Sequence, residues 1–346
     1  MKIRMLACLW ACALVTQASE TPKPEPSTPK MRAIVLHRYG GPEVVEFEET
    51  TRPEPKDDEA MIRVVAASVN PVDVAIRSGK YAEYFHTSLP LIPGMDAAGI
   101  VEKTGTNFTK LKVGDPVYAF FTLHSEGGYA EFAVAKENEV SRKPSSLTYE
   151  QAAAVPAVGS TAWQALVDTA HLRAGQTLLI HGGSGGVGHI AIQIAKALGA
   201  HVIATASTTN QAFLKTVGAD QTIDYTKTRF EDVVKDVDVV LDAVGGDTLT
   251  RSYSVVKKGG IIVTIAGEPD EAALTAHSIR GASISASPKA ETFAELTRLI
   301  EEKKLTPVVT QVFPIAQAAK AQEQIATRHT RGKIVLRVES EKKPLP

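Results

Sequence analysis

Gly183, Gly185 and Gly188 are the residues of this chain whose type and spacing point most directly to chemistry. A Gly-x-Gly-x-x-Gly turn lets a pyrophosphate approach the backbone and be held by free N–H groups at a helix N-terminus, an approach that a Cβ would block. The flanking residues supply the elements such a turn needs. Leu178, Leu179 and Ile180 form a short buried-strand pattern, and Val187, Ile190, Ala191, Ile194 and Ala195 recur three and four apart, as on the buried face of a helix. Residues 177–196 therefore read as strand, tight turn and helix, with Ser184, Gly186 and Val187 completing the turn. A second apolar strand follows at residues 201–204, and this βαβ context predicts a dinucleotide site rather than a flexible surface turn.

The end of that second strand addresses the choice of nucleotide. NAD-specific folds place an acidic residue there to bond the ribose 2′-hydroxyl. Here the residues are Thr205-Ala206-Ser207-Thr208, without a carboxylate. The Ser207 hydroxyl can donate to a 2′-phosphate that a carboxylate would repel, which predicts NADPH. Asn210 adds N–H donors but no charge. Ser207 read without its neighbours is also a helix N-cap.

The chain has 346 residues, enough for two domains with separate cores. Its 38 basic and 39 acidic residues nearly balance, no basic tract stands out, and no nucleic-acid partner is expected. Both cysteines, Cys8 and Cys12, lie in the first dozen residues, which excludes disulfides, cysteine nucleophiles and cysteine-ligated zinc from the rest of the chain. The nine histidines show no metal-ligand spacing, so no metal is expected; His181 and His189, flanking the glycines, read as packing or surface residues.

Lys2 and Arg4 precede an apolar run over residues 5–15 and small residues at 16–18, a pattern that predicts a secretory signal peptide over residues 1–19. Export would place the protein in the periplasm or outside the cell, whereas translation from Met31 would leave it in the cytoplasm. No run is long enough for a transmembrane segment in the mature chain. Residues 20–30, rich in proline, read as a linker. From Met31, short apolar alternations broken by Gly and Pro predict a mainly β domain over 31–155, completed by 290–340. Between them, residues 156–289 alternate strands near Thr177, His201, Gln221, Val237 and Gly260 with helices, and Ser283-Ile284-Ser285-Ala286 is a candidate sixth strand. This is the rhythm of an α/β, doubly wound parallel sheet of the Rossmann kind.

A longer pattern overlies the glycines. Gly175-Gln176, Leu179, Gly183-Ser184-Gly185-Gly186, Gly188, Gln193 and Lys196 stand at the spacing of the quinone oxidoreductase/zeta-crystallin signature. The chain resembles this zinc-independent branch of the medium-chain dehydrogenase/reductase superfamily from Met31-Arg-Ala-Ile-Val to Gly332-Lys-Ile-Val-Leu. The resemblance implies that the β domain is a GroES-like catalytic domain and that an edge strand pairs two subunits into a homodimer. It also implies cofactor contacts from Thr161, Tyr225, Val244 and Lys333. Their competing readings are a helix cap, a sheet-end aromatic, part of a glycine turn and an exposed strand lysine.

Zinc-dependent members of that superfamily hold a catalytic metal with Cys, His and Cys, and here the matching residues are Asn70, Met95 and Ala157. Without a Lewis acid to stabilise an alkoxide, the resemblance points to electron-poor hydride acceptors, a quinone or an α,β-unsaturated carbonyl. Asn70, ahead of Pro71, is then the candidate to donate to the substrate carbonyl or brace the nicotinamide, against a reading as a turn residue. Tyr81 is a candidate hydrogen-bond or proton donor, against a cleft-wall aromatic. Two further readings stand beside this one: an enoyl-thioester reductase, and an NADPH-binding structural or sensing protein with little turnover.

Overall fold

The computed structural model describes residues 28–85, 88–122 and 126–338, with the side chains of 84 and 85 excepted. The expected signal peptide, residues 20–27 of the expected linker, and Cys8 and Cys12 lie outside the described residues.

Six parallel strands form one sheet in the spatial order Gln221–Asp224, His201–Ala206, Thr177–His181, Val237–Asp242, Val256–Thr264, Arg280–Ser283. Helices cover both faces, so the central strands read as nearly unbroken apolar runs such as Leu178-Leu179-Ile180. Strand order reverses between Thr177–His181 and Val237–Asp242, the place where open parallel sheets form a ligand crevice.

The sixth strand departs from expectation. It spans Arg280–Ser283 and ends where the expected strand at 283–286 was to begin. Its neighbour sets this limit, because Ile261 to Thr264 pair with Arg280 to Ser283 and the neighbouring strand stops at Thr264. Gly281 lowers the strand signal of the true segment. It is needed for packing, since a Cβ there would lie 2.4 Å from Leu274 Cδ1.

The second sheet has seven strands and is mostly antiparallel. Its long strand Glu59–Val69 pairs along one edge with Asp96–Thr104. The opposite edge is shared by Phe132–Lys136 and, from Ala66 to Val69, by the late strand Lys333–Arg337. Val309–Pro314 runs parallel to that late strand, so the chain leaves this sheet, builds the Rossmann sheet and returns.

One apolar core joins the two sheets through the helices Tyr149–Ala153, Pro156–Trp163 and Ala290–Glu301. Phe293 is fully buried, meets Tyr118 edge-on at 5.0 Å and contributes roughly 2–3 kcal/mol by burial alone. Among the described residues no helix is long and apolar enough to cross a membrane.

Candidate active site

The glycine-rich turn follows Thr177–His181 and opens the helix Gly186–Ala197. Gly185 is the N-cap and provides no side chain, so the N–H groups of the first turn face the crevice uncapped. Close packing demands the third glycine: a Cβ on Gly188 would lie 2.2 Å from the Gly182 carbonyl oxygen. This cradle fits the pyrophosphate of a nicotinamide nucleotide.

His189, expected to be a packing or surface residue, is buried and ties the turn to the second sheet. Its Nδ1 donates to the Gly185 carbonyl at 2.8 Å, and Nε2 accepts from the Val308 N–H at 3.2 Å. Burial pushes it down to about 4, which keeps the ring neutral. Gly332 N–H donates to the Ser184 carbonyl at 2.8 Å, a second stitch between the glycine turn and the chain's return.

At the adenosine end, Asn210 Nδ2 lies 3.3 Å from Ser207 Oγ, and Tyr225, 55% exposed, stands on the adjacent strand end with its N–H on the Ala206 carbonyl. A carboxylate missed by the sequence reading is also here. Asp224 accepts from Thr208 Oγ1 at 2.6 Å and is held down to about 2 by Thr208 and Thr226. Thr208 directly follows Ser207, so a negative charge stands near the expected 2′-phosphate position, with Lys227 Nζ 3.5 Å away from it.

Val244 is exposed next to the glycine turn, within 3.4 Å of a Cβ built on Gly182. Thr161 does not cap its helix; its hydroxyl donates to the Ala157 carbonyl one turn back at 2.8 Å. Tyr81 lies at the surface with Lys80 Nζ 5.5 Å from its ring centre.

Asn70 sits at the junction of strand Glu59–Val69 and helix Pro71–Arg77. Pro71 fixes the helix start, and Asp73 Oδ2 takes the Asn70 backbone N–H at 2.8 Å. The Asn70 side chain makes its strong hydrogen bonds to distant parts of the chain. Its Oδ1 accepts from Lys333 Nζ at 2.6 Å and its Nδ2 donates to Asp96 Oδ2 at 2.7 Å. Asp96 also accepts from Ser68 Oγ and from the Ala157 N–H, each at 2.7 Å. Lys333 Nζ lies 3.8 Å from Asp96 and donates to the Val69 carbonyl at 3.1 Å.

All three side chains are buried. Burial pushes the Asp96 carboxyl up, opposed by the Lys333 charge and then by its hydrogen-bond donors. Burial pushes Lys333 down, opposed by Asp96 and then Asp73. Asp73, which also accepts from Tyr129 Oη at 2.9 Å, is pushed up to about 7, chiefly by burial.

Lys333 is not an exposed strand lysine: it is buried, and its ammonium bonds Val69 and Asn70. Its stem approaches the glycine turn, with Cδ 3.1 Å from a Cβ built on Gly186.

Asn70, Met95 and Ala157 do converge, around Asp96, but they offer an amide already bonded at both ends, a thioether and a backbone N–H. That donor set does not fit a tetrahedral zinc. Among the described residues, His37, Glu46 and Glu48 bring potential metal-ligating atoms within 4.8 Å of one another, on the surface of the hairpin formed by Lys30–Val35 and Glu46–Thr51.

A small apolar hollow of about 20 Å³ lies between helix Pro71–Arg77 and the chain leading into Asp96, and Asn70 is not among the residues lining it. Ile76, Leu91, Ile92, Met95 and Phe121 line it, with Thr122 the polar side chain. Tyr81 is not part of the lining. Sequence reasoning missed Asp96, though a carboxylate inside the apolar run 95–101 was a visible anomaly.

Comparison with known proteins agrees with this anatomy. Residues 56–145 match the family described as alcohol dehydrogenase GroES-like domain, and residues 217–336 match zinc-binding dehydrogenase. The chain is 35% identical to a quinone oxidoreductase of Pongo abelii over 312 residues, covering 85% of this chain and 94% of that one. It is 37% identical to a chloroplastic NADPH-dependent alkenal/one oxidoreductase of Arabidopsis thaliana over 322 residues, covering 90% of this chain and 80% of that one. The solved quinone oxidoreductase of Coxiella burnetii superposes with a TM-score of 0.84 at 34% identity, covering 90% of this chain and all of that one.

Proposed function

The chain belongs to the quinone oxidoreductase branch of the medium-chain dehydrogenase/reductase superfamily, and from that premise we propose a zinc-independent, NADPH-dependent reductase of quinones or α,β-unsaturated carbonyls. The observation that carries this reading is the buried Asn70 amide, held between Lys333 and Asp96. In zinc-dependent relatives the corresponding position supplies a thiolate to the metal.

A bound nicotinamide nucleotide supplies the hydride. The chain's own residues do the rest. The turn from Gly183 to Gly188 holds the pyrophosphate, and Ser207, Asn210 and Tyr225 receive the adenosine end. Asn70 Nδ2 gives one hydrogen to Asp96; the other, with no acceptor among the described residues, donates to the acceptor's carbonyl oxygen as negative charge develops there. A positioned donor of this kind is worth about 3–4 kcal/mol. Asn70, rather than the surface residue Tyr81, bears this part of the reading. Pairing of two subunits through the edge strand Arg280–Ser283 belongs to the same proposal, on family resemblance.

The test is oxidation of the reduced nicotinamide, followed by absorbance, with chelator-treated protein against quinones, 2-alkenals and cyclic enones, and with NADH in parallel. Turnover that survives chelation and prefers NADPH is expected. Activity restored only by added zinc would sink the metal-free mechanism. Cofactor binding without turnover on any acceptor would favour a structural or sensing role.

A further inference from the structure

An asparagine amide is nearly symmetric in shape but not in chemistry, because a flip exchanges its donor and acceptor ends. A site that needs Asn70 to donate must prevent that flip, since the wrong end would present one oxygen lone pair to another. We propose that Lys333 and Asp96 are positioning residues that hold the Asn70 amide in its donating orientation, an inference that rests on the role given to Asn70 above.

The two partners are chemically one-sided. A lysine ammonium only donates, so Oδ1 must face it, at 2.6 Å. An ionised carboxylate only accepts, so Nδ2 must face Asp96, at 2.7 Å. A flip would set Nδ2 against the ammonium and Oδ1 against the carboxylate, losing both bonds in a buried place where no water replaces them.

The partners are themselves fixed. Asp96 is held by Ser68 and by the Ala157 N–H, and Lys333 by the Val69 carbonyl. Pairing of Ile334 with Val69 brings residue 333 beside residue 70, across a separation of 263 positions. Gly332, the residue before the lysine, is bonded to Ser184 of the glycine turn. The base of the lysine is thus tied to the cofactor turn and its tip to the acceptor-facing amide. This arrangement explains a buried ion pair that stability alone does not require, because apolar residues of similar volume do as well or better in such places.

The experiment is a double-mutant cycle on the full-length enzyme, reading kcat and KM for a 2-alkenal together with the NADPH Kd from nucleotide fluorescence. Asn70→Ala is expected to lower kcat roughly 100-fold. Lys333→Met is expected to lower kcat about 10-fold or more, leave the NADPH Kd within about twofold, and add little further loss in the Asn70→Ala background. If Lys333→Met alone does not fold, Lys333→Met with Asp96→Asn removes both charges together and serves the same cycle. Full additivity of the two losses, or a Kd rise of about 10-fold with kcat retained, would overturn the proposal, the latter making Lys333 a cofactor ligand. Wild-type turnover in Asn70→Ala would instead remove the role of Asn70, and the proposal with it.

Discussion

Asp73→Asn isolates the cost of one buried carboxylate. Asp73 is fully buried and its Oδ2 accepts from the Asn70 N–H and Tyr129 Oη, while Oδ1 has no hydrogen-bond partner. Burial, aided by Asp96, outweighs those two bonds and Lys333, and pushes the carboxyl from 3.8 up to about 7. The native state therefore keeps a proton that the unfolded chain has lost. The associated stability is fully present below pH 3.8 and declines as pH rises through about 7, by on the order of 4 kcal/mol in all. Asparagine imitates the protonated form at every pH. Its second N–H imposes a fixed penalty of about 1–3 kcal/mol if unpaired, so the informative quantity is the change with pH. From about pH 5 to pH 8 the variant should gain roughly 2–3 kcal/mol relative to wild type. Urea unfolding of both proteins at the two pH values measures this directly. Parallel stability curves would refute the reasoning and show Asp73 ionised throughout.

Gly188→Ala sets a Cβ 2.2 Å from the Gly182 carbonyl, so the turn must open; NADPH affinity should fall by about 100-fold or more, measured by nucleotide fluorescence, while the far-UV circular dichroism is retained. Asp224→Asn removes the carboxylate beside Thr208 and should raise the preference for NADPH over NADH in kcat/KM by about threefold to tenfold, most clearly at low salt. An unchanged ratio would mean that Asp224 does not face the 2′ position.

Local patterns were the legible part of this fold. The glycine turn, the helix after it and the strands Thr177–His181, His201–Ala206, Gln221–Asp224 and Val237–Asp242 carry their own periodicity, and each stands where the sequence placed it. The fifth strand begins at Val256, ahead of Gly260, because two lysines and two glycines mask its first half. The active-site network was illegible for a different reason. Asn70, Asp96, Ala157 and Lys333 come from four separate stretches, and only strand register and the packing of helix Pro156–Trp163 bring them together. Lys333 reads in sequence as a cofactor contact or a solvent-facing strand lysine, since nothing near it reveals that its partners Asn70 and Asp96 lie far back in the chain. Asp224 escaped for a related reason. The search for an acidic residue followed the second strand, and the carboxylate comes from the third.

The return of the chain to its first sheet also orders events during synthesis. Strand Glu59–Val69 leaves the ribosome long before Lys333–Arg337, the strand that closes its edge from Ala66 to Val69. Until then that edge offers unpaired N–H and C=O groups, and Asp96 lacks the cation it faces in the finished protein. The Rossmann sheet has no such wait, because its six strands fall between Thr177 and Ser283. The second half of the molecule can therefore mature first, and the half holding Asn70 is completed last, by a segment that in the finished protein is also hydrogen-bonded to the cofactor turn.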